Sequence, residues 1–417
     1  MKRSRHLVAG LLDSAFAALG TFLAGFLAVR ELDVRLLAVY AVVSAAAVFA
    51  MPLARQLVYI PSQVAANVLT EVRMPVLRDE VRRAMPWSLA AAAVVLVVGL
   101  TLLGGADRGG VVALALSAAA MVLVSPLQDH VRSCLHLVGE HFRAAACSVV
   151  LAVVVGGVVL VAAAIPHTST SVAAVPFGAL TVANLVSAVV GVALLRSTAR
   201  TERYRPSPFR DRGRFLLSEL SVQGAWLGCT YLILGIAGAA AVASLEAARL
   251  AASPVFILSG ALSTFIAPAL LRRMSPERPD RRGAARELGV ALAVLGAGVV
   301  AWLALLAVSG HLVAVVLNKP FDLALVAVRC IASALEGVAG LVSIALLALA
   351  QARAAFVFSA LAAAIGLVGT AALAPLLGPF ALPAAQGVGT TARFVLSARR
   401  SSREMARMTE RVLVGRV

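Results

Sequence analysis

Lysine is nearly absent from this chain of 417 residues: only Lys2 and Lys319 occur among 37 basic residues. No GxxxxGK[ST] phosphate loop can therefore form, which excludes nucleotide hydrolysis of that kind. The HExxH and GxSxG signatures are missing too, and with them two common hydrolase chemistries. Cysteine is scarce, and Cys134, Cys147, Cys229 and Cys330 show no paired spacing, so neither a disulfide framework nor a zinc site is expected. His130, His136 and His141 lie near Cys134 at spacings that match no common metal pattern, and they read as residues of a solvated cytoplasmic loop. Aromatic residues make up 5% and charged residues 14% of the chain. With so few rings to stack on bases, the net charge of +17 does not indicate a nucleic-acid partner. The expectation is a chain that is not an enzyme and holds neither cofactor nor metal.

What the chain has in excess is apolar length. Hydrophobic residues make up 61% and the mean hydropathy is +0.95, more than a soluble core can use. Apolar stretches of about 20 residues, the length that crosses about 30 Å of hydrocarbon, recur throughout. Twelve are expected, near 7–29, 36–58, 86–104, 110–128, 144–165, 173–195, 215–239, 244–270, 287–308, 322–350, 354–374 and 377–398. The predicted fold class is an all-α polytopic membrane protein.

Cutting the chain at these segments sorts its positive charge. One set of loops holds 31 basic residues, among them seven from Arg196 to Arg214 and seven from Arg393 onward. The opposite set holds four, Arg30, Arg35, Arg108 and Lys319, while Arg249 and Arg329 lie inside apolar segments. Positively charged loops resist translocation, so both termini are expected in the cytoplasm and the protein in the cytoplasmic (inner) membrane. Anionic membrane lipids are the natural partners of this charge. Residues 1–20 imitate a signal peptide, but Asp13 interrupts the apolar run and eleven further segments follow, so a retained first helix is expected.

A weak internal repeat divides the segments in two. Arg143-Ala144-Ala145 recurs as Arg353-Ala354-Ala355, Pro176-Phe177 as Pro379-Phe380, and Ala17, Leu19 and Gly20 as Ala225, Leu227 and Gly228. An even number of spans returns the chain to the same side, so the halves form a parallel repeat about an axis along the membrane normal. The expected organisation is a six-helix bundle over 1–195, a basic linker over 196–214, a second six-helix bundle over 215–398 and a basic cytoplasmic tail over 399–417. Pro206 and Pro208 oppose a continuous helix through the linker, and Asp211-Arg212-Gly213-Arg214 reads as linker charge.

The run Ala28-Val29-Arg30-Glu31-Leu32 to Leu37-Ala38-Val39-Tyr40 resembles the start of the second helix in polysaccharide flippases of the multidrug/oligosaccharidyl-lipid/polysaccharide exporter superfamily. Leu245 to Leu250 with Phe265-Ile266-Ala267-Pro268-Ala269-Leu270, Ala348 to Ala355, and Pro375-Leu376-Leu377-Gly378 resemble later segments of that family. The resemblance covers most of the chain through degenerate motifs. It implies an alternating-access flippase for a lipid-linked oligosaccharide or another amphipathic substrate, with polysaccharide assembly proteins as partners. A cation-coupled small-molecule or multidrug exporter of the same fold, and a non-transporting scaffold in envelope polysaccharide synthesis, are the alternatives.

Ionisable residues inside spans are costly in hydrocarbon and so single themselves out. Glu336 lies midway along the tenth segment, and Arg329 lies seven residues earlier on the same face, about 10 Å away along a helix. Arg329 either joins Glu336 in a polar stripe or snorkels outward toward Asp322. Arg249 and Glu246, three residues apart, can pair with each other. Arg329 and Arg249 are the candidate substrate-binding residues. Acidic residues on helices 1, 7 and 10 serve ion coupling in the multidrug branch, and the resemblance thus implies Asp13, Glu219 and Glu336 as candidates. For Asp13 and Glu219, a carboxylate stabilised near a helix N-terminus is the alternative.

Overall fold

A hydrocarbon solvent offers backbone groups no partners, so an apolar chain of this kind must satisfy its N–H and C=O groups within each segment. The computed structural model describes residues 2–63, 77–104, 107–164, 169–196, 209–273, 280–349 and 351–414, and among them there are helices and turns but no strand.

In chain order the helices are α1 (Lys2–Glu31), α2 (Val34–Ala50, carried on through Pro52–Ala54 and a π-helical turn, Arg55–Tyr59), α3 (Leu77–Leu100), α4 (Arg108–Leu137), α5 (His141–Ala164) and α6 (Ser169–Arg196). They continue with α7 (Phe209–Ala251), α8 (Ser253–Arg273), α9 (Arg281–Leu317), α10 (Leu323–Ala348), α11 (Ala352–Leu377) and α12 (Ala381–Val414), the last two joined by a 3-10 turn at Gly378–Phe380. Aspartates cap several starts: Asp33 accepts from Leu36 N at 2.8 Å, Asp107 from Gly109 N at 3.1 Å and Asp280 from Gly283 N at 2.8 Å. Asn318, in the left-handed region at φ 52°, ends α9.

Ten stretches of the described residues are long and apolar enough to cross a membrane, and the chain is a multi-pass membrane protein. Twelve were expected. The difference has two sources: Arg353–Met408 is one continuous apolar stretch across the turn at Gly378, and the side chains of α8 are described without a break only over Ser253–Leu262, too short a stretch to count.

Two compact units divide at residue 216, Met1–Leu216 and Leu217–Val417. In unit 1, α1 packs on α5, α5 on α6, α6 on α4, α4 on α3 and α2 on α3. In unit 2, α11 packs on α12, α12 on α10, α10 on α9 and α8 on α9, so each of these neighbours recurs six helices later. The first pair recurs as well. Gly20 of α1 lies where any side chain would run into Leu151 of α5, and Gly228 of α7 stands in the same relation to Leu367 of α11. The sequence match of Gly20 with Gly228 is thus a match of role, a bare backbone that lets two helices approach. Pro176-Phe177 and Pro379-Phe380 are not equivalent, since Pro176 lies inside α6 while Pro379 lies in the turn before α12.

Several expected boundaries move outward. Helix α3 begins at Leu77 rather than near 86, and α4 runs to Leu137 rather than 128. Phe209 to Arg214, assigned to the linker, begin α7, while 197–208 lie outside the described residues. Most of the expected tail is helical, because α12 continues to Val414. Hydropathy ends a segment where the lipid ends, but the hydrogen-bond ladder continues into water while charged side chains solvate its outer turns.

Outside the spans, Arg273 ties the ends of α8 and α9 together. Its guanidinium donates to Asp280 at 2.7 Å and to Glu287 at 3.0 Å. The Gly283 N–H, and then Arg273, hold the Asp280 carboxyl below the ordinary carboxylate range, while Asp280 and Glu287 push Arg273 up.

Candidate functional sites in the two units

Unit 1 holds its charge in a network on α1, α4 and α5. Asp13 of α1 is 5% exposed, yet it accepts from Ser148 Oγ at 2.6 Å and from His136 Nε2 at 2.9 Å. Arg132 Nη1 stands 3.7 Å from the same carboxylate, and Arg132 Nη2 donates to Asp129 at 3.1 Å. His136 Nδ1 meets His141 Nδ1 at 3.0 Å, so one of those nitrogens carries the proton between them. A buried carboxylate needs this many donors, because each lone pair left unmatched in a dry site is costly.

The three histidines therefore do not form a solvated loop. Helix α4 continues to Leu137 instead of ending near 128, which carries His130 and His136 inward. His130, 1% exposed, stacks on Tyr59 with ring centroids 4.4 Å apart and contacts Gln63 Nε2 at 3.1 Å. Next to it, Ser62 Oγ donates to the buried Glu80 at 2.6 Å. Neither cluster stood out in the sequence, since partners such as Asp13 and Ser148 lie 135 residues apart. Among the described residues, no group of three ligand-type side chains could hold a metal ion.

Unit 2 arranges its charges along two facing helices. Arg329 Nη1 of α10 donates to Gln386 Oε1 of α12 at 2.9 Å. Seven residues on in each helix, Glu336 of α10 lies within electrostatic reach of Arg393 of α12, and it also reaches Arg329. Both rungs have a sequence offset of 57, so α10 and α12 run in the same direction and meet along a seam with heptad spacing. Of the two readings of Arg329, the polar stripe holds: its guanidinium is bonded across the seam.

Glu219 of α7 accepts from Gln223 at 3.0 Å and also reaches Arg393 electrostatically. Arg249 and Glu246 pair as the spacing suggested, with Nε donating to Oε2 at 2.8 Å and Nη2 to Oε1 at 2.5 Å. They sit beyond Gly238, where φ 84° and ψ 177° break the helix. This pair interacts in turn with Arg329. Of the five candidates, Glu336, Glu219, Arg329 and Arg249 thus share one electrostatic set in unit 2, while Asp13 belongs to unit 1.

Arg393 is the member that sequence reasoning missed. It was counted with the cytoplasmic charges although it falls within the apolar segment 377–398, and it is 9% exposed. The signal was its seven-residue spacing from Gln386, which mirrors Arg329 and Glu336 on the partner helix.

Beside this seam, a cleft of about 600 Å³ opens along α10 and α12, lined by residues such as Val328, Ile331, Pro383 and Val388. The one hydroxyl in its lining, Thr391, returns to Gly387 O at 2.8 Å, so the cleft is apolar throughout.

No protein-family profile matches the chain, and no curated protein matches it in sequence. Solved structures do match its fold over nearly the whole length. A crystal structure of MATE in the straight conformation has a TM-score of 0.64 at 12% identity, covering 98% of this chain and 96% of that one. The lipid II flippase MurJ in an inward closed conformation has a TM-score of 0.64 at 11% identity, covering 96% and 90%. A transporter of the MOP superfamily from Pyrococcus furiosus, described by a binding pocket of reversed polarity, has a TM-score of 0.57 at 12% identity, covering 97% of each. The all-helical fold of these transporters is the fold of this chain.

Proposed function

We propose that the protein is an alternating-access flippase that carries a lipid-linked saccharide across the cytoplasmic membrane. The observation that supports this most is the placing of Arg329 and Arg393 on the α10–α12 seam, two guanidiniums at membrane depth. A planar fork can make paired charge-assisted hydrogen bonds to phosphate, and the low dielectric around it strengthens them. In this reading the arginines attract the phosphate or pyrophosphate, the glycan crosses through the protein, and the lipid tail stays in the bilayer. Arg249 contributes less, because Glu246 already occupies its fork. Glu336, Asp13 and Glu219 are the acids available for ion coupling. Membrane lipids and polysaccharide assembly proteins are the partners this function requires.

A second reading, export of an amphipathic small molecule coupled to a cation, draws support from the apolar cleft beside α12.

Purified protein reconstituted in liposomes, assayed for translocation of a fluorescent lipid-linked oligosaccharide and for efflux of a cationic dye, separates the two. The flippase reading expects transport of the first, with Arg329→Lys weakening its binding in part and Arg329→Ala more severely. Each lost charged contact is worth roughly 1.5 to 3 kcal/mol, or about 10- to 150-fold in affinity. Dye efflux without lipid translocation, or equal affinity in wild type and both variants, overturns it.

A further inference from the structure

Four polar atoms on α12 are buried and, among the described residues, have no hydrogen-bond partner: Arg393 Nε, Ser397 Oγ, Arg400 Nε and Ser401 Oγ. Folded proteins leave few such groups, and each marks a place where water, an ion or a ligand completes the structure. The spacings of four, three and one put all four residues on one face of the helix.

The two serines also depart from the habit of the rest of the chain. Ser117, Ser309, Ser343 and Thr391 return their hydroxyls to the carbonyl four residues earlier, the usual resort of a hydroxyl in apolar surroundings. Ser397, fully buried, and Ser401, 5% exposed, do not.

The seam accounts for the unmatched donors. Its first rung is Arg329 with Gln386 and its second Glu336 with Arg393. Continuing the offset of 57 sets Arg400 opposite Ser343, whose hydroxyl donates to Ala339 O at 2.8 Å. Arg400 Nε has no hydrogen-bond partner among the described residues, so no acceptor on α10 completes the third rung. Arg400 Nη2 reaches Gln351 at 3.0 Å and Glu404 at 3.0 Å, which leaves Nε over.

Charge then selects the ligand. Glu336 and Glu219 reach Arg393, and Glu404 pairs with both Arg400 and Arg407. The two guanidiniums of Arg400 and Arg407 thus share the one carboxylate of Glu404, which leaves an excess of positive charge beside the buried Arg400 Nε. A guanidinium can only donate, and the hydroxyls can donate. Water could satisfy the hydroxyls but would leave the charge excess standing. Arg393 and Arg400 lie two turns apart, about 10 Å along the helix, a span that a diphosphate bridges more readily than a monophosphate.

We propose that the C-terminal half of the α10–α12 seam is a binding site for a phosphate-class oxyanion, held by Arg393, Ser397, Arg400 and Ser401. The anion is carried either by a bilayer headgroup or by the diphosphate of a lipid-linked saccharide, and the second source rests on the flippase reading.

The test uses full-length protein in nanodiscs of phosphatidylcholine alone, with inorganic pyrophosphate titrated calorimetrically. Saturable binding is expected, weakened at least tenfold by Arg400→Gln and by the double variant Ser397→Ala/Ser401→Ala. Arg403→Gln, which removes the same charge from an exposed position of the same helix, should leave affinity within twofold. Absence of saturable binding, or an equal loss in Arg403→Gln, overturns the site. If Arg400→Gln fails to give monodisperse protein, the serine double variant, which removes no charge, decides alone. With binding established, competition by phosphatidylglycerol in the nanodisc assigns the anion to a headgroup, and competition by a lipid-linked diphosphate sugar assigns it to the carrier. Variants that lose pyrophosphate but still translocate lipid-linked saccharide would leave the site standing and detach it from transport.

Discussion

Removing the Asp13 carboxylate should loosen unit 1 by an amount its partners determine. In Asp13→Ala, Ser148 loses the acceptor it reaches at 2.6 Å, His136 the one at 2.9 Å, and Arg132 a carboxylate at 3.7 Å. A hydrogen bond to a charged group is worth about 1.5 to 3 kcal/mol. The Ser148 bond should count at full value, because Ser148 has no exposure to water. The other two count for less, since the side chains of His136 and Arg132 are 29% and 23% exposed and rehydrate in part. The sum is about 3 kcal/mol, which for a unit of this size lowers the melting temperature by roughly 6 to 12 °C. Asp13→Asn should lose only about 1 kcal/mol: its amide oxygen still accepts from Ser148, and His136 can change tautomer to accept from the amide N–H. The assay is the fraction of detergent-purified protein that stays monodisperse after graded heating. Asp13→Ala melting within 2 °C of wild type would refute the reasoning, and Asn falling as far as Ala would show that charge, not bonding geometry, is what unit 1 requires.

Glu336→Gln should abolish transport driven by a pH gradient while the protein still inserts and purifies as a monodisperse species. Unchanged gradient-driven transport removes Glu336 from coupling. Gly238→Ala should destabilise unit 2 by about 1 to 3 kcal/mol, since φ 84° with ψ 177° is open to glycine almost alone; a melting temperature equal to wild type would refute this. The folded pKa of Asp280 lies below its ordinary value of 3.8, so its contribution is fully present above that pH and is lost as pH falls through the folded value. The stability gap between wild type and Asp280→Asn should accordingly hold at neutral pH and close in acid; a gap independent of pH counts against the Gly283 and Arg273 contacts as its source. For topology, cysteines introduced within 196–214 should resist a membrane-impermeant thiol reagent in intact cells, whereas Lys319→Cys should react. The four native cysteines are buried, so wild type provides the blank.

Most of the fold could be read from the sequence because lipid imposes one rule on every span: apolar length with internally satisfied backbone. The repeat was legible for the same reason that its glycines persist. Gly20 and Gly228 each admit a leucine from a neighbouring helix, which would have to shift if either glycine carried a side chain. The ends of α3, α4 and α12 were not legible, because a helix leaving the membrane changes its side chains without changing its backbone. Among the candidates, Arg249 with Glu246 was readable since the pair is local, three residues along one helix. The partners of Asp13 were not, because the fold brings side chains of α4 and α5 to α1 across more than 120 residues.

Arg393 shows how a sound rule can hide a buried charge. Counting arginines by loop assigns every one near a segment end to the water, and α12 instead buries this one within electrostatic reach of Glu336 and Glu219. The set in unit 2 then holds three arginines, Arg249, Arg329 and Arg393, and three glutamates, Glu246, Glu336 and Glu219. With all six ionised the set carries no net charge, which is the condition under which so many charges can remain in a membrane. Neutrality also limits what the arginines can do. A phosphate approaching Arg329 or Arg393 competes with Glu336, which lies within electrostatic reach of both guanidiniums, so in the proposed flippase the anion must displace an attraction that the protein already supplies.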